Sequence, residues 1–167
     1  PMLHKALEQF LTDVYWNNPD FLLIDLPPGT GDISLSLAQF LPRAEAFVVT
    51  TPNPAAQKVA QRSAFMFKQV NIEVKGVIEN MSWFTGDDGT CYPLFGAGGG
   101  KDLADKLEVD LIAQVPMTIP MREGSDQGRP IMAEDPNNEA SLAFVEMAEW
   151  VIAHAPSKRS HPELKII

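Results

Sequence analysis

A carboxylate followed by a turn rich in proline and glycine is the part of this sequence best suited to chemistry. The apolar run 21–24 ends at Asp25, and the turn after it carries Gly29 and Gly31. The run predicts a buried strand, and an acid at the carboxyl end of a strand in an open α/β sheet can hold a metal-bound water. Glycines leave backbone N–H groups open to a phosphate. The pattern predicts phosphate and magnesium chemistry, although apolar runs that end in an acid also occur in ordinary proteins.

A second polar residue follows another predicted strand. Asn80 comes directly after the predicted strand 74–79, at the sheet edge where a base could lie. Its side-chain amide can both donate and accept hydrogen bonds at an adenine edge. An asparagine that only forms a turn would fit the same spacing. Both interpretations stay open on the residues alone.

The glycine run 96–100, followed by Lys101, superficially resembles a phosphate-binding loop. A P-loop requires Gly-x-x-x-x-Gly-Lys-Ser/Thr, and no stretch of this sequence supplies it. Phe95 stands where the leading glycine belongs, and Asp102 replaces the hydroxyl residue and places a negative charge at the phosphate. We therefore interpret the run as the glycine-rich start of a helix.

Composition narrows the class of protein. The chain has 167 residues, of which 45% are hydrophobic and 21% charged, which suits one domain with an ordinary core. The net charge of −9 offers no basic face to nucleic acid or anionic lipid. No apolar run reaches the roughly 18 residues of a membrane span, and the start lacks a signal-peptide pattern. We expect a cytoplasmic protein that binds neither nucleic acid nor membrane, and the single Cys91 excludes an internal disulfide.

Hydrophobic spacing predicts how these residues are positioned. The predicted helices cover 2–15, 33–41, 54–70, 101–107 and 138–154, and the predicted strands cover 21–25, 46–50, 74–79 and 111–115. The strands are mainly apolar runs rather than alternating ones, which is typical of a parallel sheet covered on both faces. The predicted class is α/β, a doubly wound parallel sheet with helices on both faces, in one domain over 1–155 with a flexible tail over 156–167. A short hairpin is predicted over 83–92, because Asp-Gly is flanked by aromatic residues.

Several motifs together carry a family resemblance. They are LIDLPPGTGD at 23–32, VTTP at 49–52, GVIENMS at 76–82, FGAGGG at 95–100 and GSDQGRP at 124–130. On these the chain resembles the Mrp (ApbC-type) P-loop ATPases of the MinD/ParA superfamily. The resemblance implies a P-loop NTPase fold, ATP and magnesium, a homodimer, and transfer of iron–sulfur clusters to apo iron–sulfur proteins. It also implies that the P-loop lies upstream, so that this sequence is a carboxyl-terminal portion without the P-loop and its amino-terminal strand.

The same resemblance implies roles for individual residues. Asp25 is expected to position a magnesium-bound water, while Gly29 and Gly31 are expected to sense the terminal phosphate. Asn80 is expected near adenine, and Pro116 is expected to lie against the base. Because the P-loop motif is absent, we expect the chain alone to bind ATP weakly or not at all.

This sequence has fewer cysteine ligands for an iron–sulfur cluster than the family it resembles. Most Mrp relatives carry a Cys-x-x-Cys pair, and two such pairs across a dimer could hold a four-iron cluster. Here Gly-Asp-Asp-Gly occupies 86–89 and a lone Cys91 follows, so at most one thiolate per subunit is available. Cys91 is either a cluster ligand or a small, partly buried residue. Arg122 and Arg129, in a predicted loop, could meet a phosphate or a partner subunit.

Two other functions remain open. A non-catalytic interaction module would keep the sheet and the dimer surfaces without nucleotide or cluster chemistry. A MinD- or ParA-like positioning ATPase is disfavoured, because the 138–154 helix has no Lys or Arg and the net charge is −9. The resemblance also places the missing strand beside the 21–25 strand. An unpaired apolar edge there would make the isolated chain aggregate or dimerise.

Overall fold

A mixed sheet of four strands organises the chain. The structure, a computed structural model, describes residues 2–26 and 31–155. Its strands are β1 (Glu45–Thr50), β2 (Glu73–Thr85), β3 (Cys91–Tyr92) and β4 (Asp110–Met117). β2 pairs in parallel with β1 on one side and with β4 on the other, and its far end pairs antiparallel with β3. The three parallel strands therefore bring their carboxyl ends to one edge.

Seven helices surround this sheet within the described ranges. They are α1 (Met2–Thr12), α2 (Gly31–Phe40), α3 (Pro54–Gln69), α4 (Gly99–Leu107), α5 (Ile119–Asp126), α6 (Ile131–Glu134) and α7 (Glu139–His154). The predicted helices match α1, α2, α3, α4 and α7, with ends that differ by up to three residues. None of these helices is long and apolar enough to cross a membrane.

Residues of β1 show that helices cover both faces of the sheet. Val48 is buried in a cluster with Ala60 and Ala64 of α3. Phe47 points to the opposite face, as neighbouring residues in a strand do, and its ring meets that of Trp150 of α7 edge-on, with centroids 6.2 Å apart. The predicted α/β class with helices on both faces is therefore confirmed.

Asparagine caps explain why two of the long helices begin where they do. The side chain of Asn53 accepts a hydrogen bond from the backbone N–H of Ala55 at 2.8 Å, and Pro54 occupies the first turn of α3. Asn138 accepts from the N–H of Ala140 at 3.1 Å in the same way at α7. The prediction that residues 52–54 open a long helix is confirmed.

The predicted strand over 21–25 is wrong. Residues 21–26 have no regular secondary structure, and no strand in the described part of the chain pairs with them. Ile24 and Leu26 pack partly buried against the cluster formed around Leu37, whereas Phe21 is 49% exposed and Leu23 is 86% exposed. An apolar run becomes a strand only where a neighbouring strand accepts its backbone hydrogen bonds, and here none does.

Two further differences lie after β4 and along β2. The segment that contains Arg122 is a helix, α5, where the sequence predicted a loop. Its helical start is explained by Thr118, whose hydroxyl oxygen accepts from the N–H of Met121 at 3.3 Å. β2 continues beyond the predicted 74–79 as far as Thr85, and the predicted hairpin with β3 is confirmed. The tail over 156–167 lies outside the described residues, so the domain boundary stays a prediction.

Candidate functional site

The carboxyl ends of the parallel strands form one continuous edge. Thr50 of β1 pairs with Glu79 of β2, and Asn80 pairs with Val115 of β4. Asn80 is half-buried, and Pro116, one residue further along β4, is fully buried. The structure thus places Asn80 where the regular pairing of β2 with its neighbours is interrupted, and Pro116 one residue before the end of β4. Open α/β sheets bind ligands at this edge.

Asn80 begins a strained bulge in β2. The register with β4 shifts between Asn80 and Phe84, and Met81 has a φ of +58°, a left-handed conformation that is costly for a residue with a Cβ. The Asn80 side-chain oxygen accepts from the N–H of Met81 at 2.8 Å, and the Ser82 hydroxyl donates to the carbonyl of Glu79 at 3.0 Å. These bonds stabilise the bulge. The amide oxygen of Asn80 keeps its second lone pair for a ligand.

Glu79, which the sequence analysis did not single out, is the residue that joins this bulge to the rest of the edge. It is 1% exposed. One carboxylate oxygen accepts from Nε2 of Gln114 on β4 at 2.7 Å, and the other accepts from the backbone N–H of Gly100 in the first turn of α4. A buried carboxylate requires such partners. An acid inside an apolar strand, with a glycine-rich helix start nearby, was the signal available in the sequence.

The glycine run serves this internal contact. Gly98 caps α4 with a φ of +78°. A Cβ on Gly100 would lie 2.7 Å from the Cβ of Glu79, so only glycine lets the helix approach β2 this closely. Lys101 forms an ion pair with Asp105 one turn along the helix. The interpretation of the run as a helix start is confirmed, and a carboxylate of the same chain binds the helix N–H group that a phosphate would otherwise use.

The predicted phosphate and magnesium residues are placed differently. Asp25 is exposed on the irregular segment before α2, so the expectation that it ends a buried strand is wrong. Gly31 is the first residue of α2, and Gly29 lies outside the described residues. The structure therefore brings Asn80 and Pro116 together but gives Asp25 no position at a strand end. The roles of Asp25, Gly29 and Gly31 stay predictions.

Cys91 lies in the hairpin at the end of β2. It is exposed, which makes the alternative of a partly buried residue wrong, and its sulfur is 3.9 Å from the hydroxyl oxygen of Thr85. Thr85 and Trp83 both donate to one carboxylate oxygen of Glu139 on α7, at 3.0 and 3.2 Å. In the hairpin turn, the N–H and hydroxyl of Thr90 donate to Asp88 and lower the pKa of its carboxyl.

A four-iron cluster needs more ligands than one subunit offers here. Among the described residues, no group of three or more His, Cys, Asp and Glu side chains could hold a metal ion. Cys91 supplies one thiolate, whereas such clusters are usually held by four. The donor set of a single subunit therefore does not fit a four-iron cluster, and Cys91 as a ligand stays a prediction.

The two arginines after β4 are engaged by acids of their own chain. Arg122 on α5 pairs with Glu123 at 3.0 Å and with Asp126 at 3.1 Å. Arg129 lies 3.5 Å from Glu134. All of these side chains are about half exposed or more. A phosphate or a partner subunit would therefore compete with existing, exposed ion pairs.

Comparison with known proteins agrees with this architecture. Residues 1–152 match the ParA family described as NUBPL iron-transfer P-loop NTPase. The chain is 46% identical over 144 residues to an iron-sulfur cluster carrier protein of Mycobacterium tuberculosis, covering 83% of this chain and 38% of that protein. It is 44% identical over 149 residues to the carrier of Pseudomonas fragi, covering 89% and 52%. The chain thus spans between about two fifths and half of these two relatives.

Solved structures give the same assignment of fold. A nucleotide-binding protein from Archaeoglobus fulgidus, in complex with ADP, superposes with a TM-score of 0.70 at 33% identity, over 86% of this chain and 58% of that one. The MinD cell division protein of Aquifex aeolicus superposes with a TM-score of 0.63 at 20% identity, over 96% and 61%. At that identity the MinD similarity shows the fold alone.

Proposed function

The chain belongs to the NUBPL iron-transfer family of P-loop NTPases, and from that membership we propose that it works in a cytoplasmic iron–sulfur cluster carrier. In this proposal the natural protein that contains these residues binds and hydrolyses ATP with magnesium. It acts as a homodimer and transfers clusters to apo iron–sulfur proteins. The relatives that carry the name iron-sulfur cluster carrier protein support the proposal that the cargo is an iron–sulfur cluster.

The observation that carries the nucleotide part of the proposal is the bulge at Asn80 beside Pro116. The Asn80 amide can accept from the exocyclic amine of adenine and donate to its ring nitrogen N7, the pairing that distinguishes adenine from guanine. Pro116 follows Val115, the pairing partner of Asn80, on the next strand, but its side chain is fully buried, so its expected contact with the base stays a prediction. Strain of the kind seen at Met81 persists where surrounding bonds over-determine it, and it is typical of ligand sites.

Phosphate chemistry in this proposal belongs to Asp25, Gly29 and Gly31, which lie before α2 and at its first residue. Asp25 is an oxygen donor of the kind that magnesium prefers, and its exposure leaves it accessible to a hydrated ion. Gly29 and Gly31 contact the terminal phosphate through backbone N–H groups. A bound magnesium ion would neutralise part of the negative charge of the phosphates. The P-loop itself is not in this sequence, so the 167-residue chain alone is expected to bind ATP weakly or not at all, and low-micromolar binding would contradict that.

Equilibrium binding of ATP tests the nucleotide part. The natural protein that contains this sequence should bind ATP with magnesium, and Asn80→Ala should weaken binding by roughly 1–3 kcal/mol, the value of one bidentate base contact. Asn137→Ala is a matched control, because Asn137 is an exposed residue between α6 and α7. Equal ATP affinities of the Asn80 and Asn137 variants would contradict the role of Asn80.

Anaerobic reconstitution with iron and sulfide tests the cargo. If Cys91 is a ligand, the dimeric protein should show the visible absorption of a cluster, and Cys91→Ser should lose it, because the thiolate is the bond-forming group. Circular dichroism of the variant controls for folding, since Cys91 is exposed and its replacement should leave the fold intact. An unchanged iron content in the variant would show that the cluster is held elsewhere.

A non-catalytic interaction module remains a second candidate, favoured by one observation. The outer side of α7 carries Leu142, Val145 and Ile152, which are 56%, 39% and 64% exposed. Apolar residues at this spacing form one stripe along a helix. If the natural protein bound neither ATP nor iron, this surface would be its main chemical feature. Helix α7 has no Lys or Arg, so membrane attachment through it is not favoured.

A further inference from the structure

A buried carboxylate directly before Asn80 suggests how the base-contacting residue is held in place. Glu79 is almost fully buried, and its two oxygens reach two other elements, Gln114 on β4 and Gly100 on α4. In the sequence, only Asn80 separates Glu79 from the strained residue Met81. We propose that Glu79 is a positioning residue, which fixes the conformation of Asn80 and thereby its discrimination of adenine from guanine. This inference rests on the proposed nucleotide binding.

The first step in favour of this role is that the bulge has few other attachments. After Asn80 the regular pairing of β2 with β4 stops, and it resumes only at Phe84. The left-handed conformation of Met81 must be maintained against its intrinsic cost. Glu79 is the last residue of β2 that pairs with both neighbouring strands, one residue before the interruption, so its side chain anchors the sheet next to the bulge. The Ser82 hydroxyl also attaches the bulge to Glu79, because it donates a hydrogen bond to the Glu79 backbone carbonyl.

The contact between Glu79 and α4 is close because glycines occupy the start of the helix. A Cβ at Gly100 would lie 2.7 Å from the Glu79 Cβ, and a Cβ at Gly99 would lie 2.8 Å from the carbonyl carbon of Pro52. The two glycines therefore let one helix start pack onto Pro52, just after β1, and onto Glu79 in β2. The positive end of the helix dipole also favours a carboxylate there. Displacing Glu79 would loosen the whole ligand edge, with Asn80 at its centre.

Selectivity between ATP and GTP separates positioning from a general structural role. In the natural protein, Asn80→Ala should reduce the preference for ATP roughly tenfold or more. Glu79→Ala should reduce that preference to a similar extent, and the double variant should show no further loss, because Glu79 acts through Asn80. A purely structural role would weaken ATP and GTP equally and leave their ratio unchanged. That result, or additive losses in the double variant, would overturn the inference.

Conservative and control variants keep the test decisive if Glu79→Ala folds poorly. Glu79→Gln keeps the volume and can accept from Gly100, while a flip of the Gln114 amide preserves the other contact. It should therefore restore selectivity to within about threefold of wild type. Glu146→Ala removes an exposed carboxylate on α7 and should change nothing. Loss of selectivity in Glu79→Gln as large as in the alanine variant would contradict positioning by these hydrogen bonds.

Hydrogen exchange at Met81 provides a readout that needs no nucleotide. Its N–H donates to the Asn80 side chain, so release of Asn80 should speed its exchange, by roughly tenfold in Glu79→Ala and little in Glu79→Gln. Unchanged Met81 exchange in Glu79→Ala would overturn the inference whatever the protein binds. If Met81 responds as expected but wild type shows no preference for ATP, the proposed base contact fails and the link from Glu79 to selectivity is overturned with it.

Discussion

Replacement of Gly100 by alanine should destabilise the protein strongly for so small a change. The added Cβ would lie 2.7 Å from Cβ and 2.9 Å from a carboxylate oxygen of Glu79, well inside ordinary contact distance. Overpacking of this kind costs roughly 1–3 kcal/mol. Moving α4 away would also weaken the Gly100 hydrogen bond to the buried carboxylate, worth roughly 1.5–3 kcal/mol. The better helix propensity of alanine returns about 1 kcal/mol.

The net destabilisation expected for Gly100→Ala is roughly 1.5–5 kcal/mol, or a melting temperature lower by roughly 3–20 °C for a chain of this size. Thermal unfolding followed by circular dichroism measures it. Lys101→Ala is the neighbouring control, because its ion pair with Asp105 is exposed on both sides, and its cost should stay within about 0.5 kcal/mol. Equal melting temperatures for the two variants would show that α4 does not pack onto Glu79 as described.

Three further predictions concern the hairpin, α7 and the exposed segment before α2. The hydrogen bonds from Thr90 lower the pKa of Asp88, so they stabilise the turn at every pH above the ordinary pKa of an aspartate. This stabilisation is lost as the pH falls through the lowered pKa. The amide resonance of Thr90 should move over that pH range, and a resonance that stays constant would contradict the hydrogen bond. Glu139→Ala should cost roughly 1–3 kcal/mol and shift the Trp83 indole N–H resonance, because two donors lose their acceptor; an unmoved resonance would argue against the contact. Leu23→Ser should reduce the self-association of the chain, measured by sedimentation velocity, because Leu23 is 86% exposed. For the same reason it should not lower the melting temperature. A wild-type chain that is already monomeric would refute the expected self-association.

Local patterns predicted those elements whose partners lie within this chain. The apolar runs of β1 and β4 pair with β2, and the capping residues of α3 and α7 act within two residues, so spacing alone located them. The run 21–25 looked equally strand-like but has no pairing strand in the described part of the chain. Strand formation depends on such a neighbour, which a local pattern does not contain.

The candidate site shows the same division. Asn80 and Pro116 could be placed on neighbouring strands because each follows a predicted strand, although β2 continues through Asn80 to Thr85. The bulge at Met81 and the burial of Glu79 could not be predicted, since the bulge arises in the pairing of β2 with β4 and the burial of Glu79 depends on how closely α4 approaches β2. The exposure of Cys91 likewise follows from the hairpin being paired only with the end of β2. Tertiary packing decided each of these features.

Transfer of a cluster to an acceptor protein is the direct test of the proposed carrier function. The natural protein that contains this sequence would be loaded anaerobically with iron and sulfide, freed of excess iron, and mixed with an apo iron–sulfur enzyme. A cluster carrier should activate the acceptor faster than equal free iron and sulfide do, and ATP with magnesium should change this rate. Activation no faster than with free iron and sulfide would contradict a carrier function.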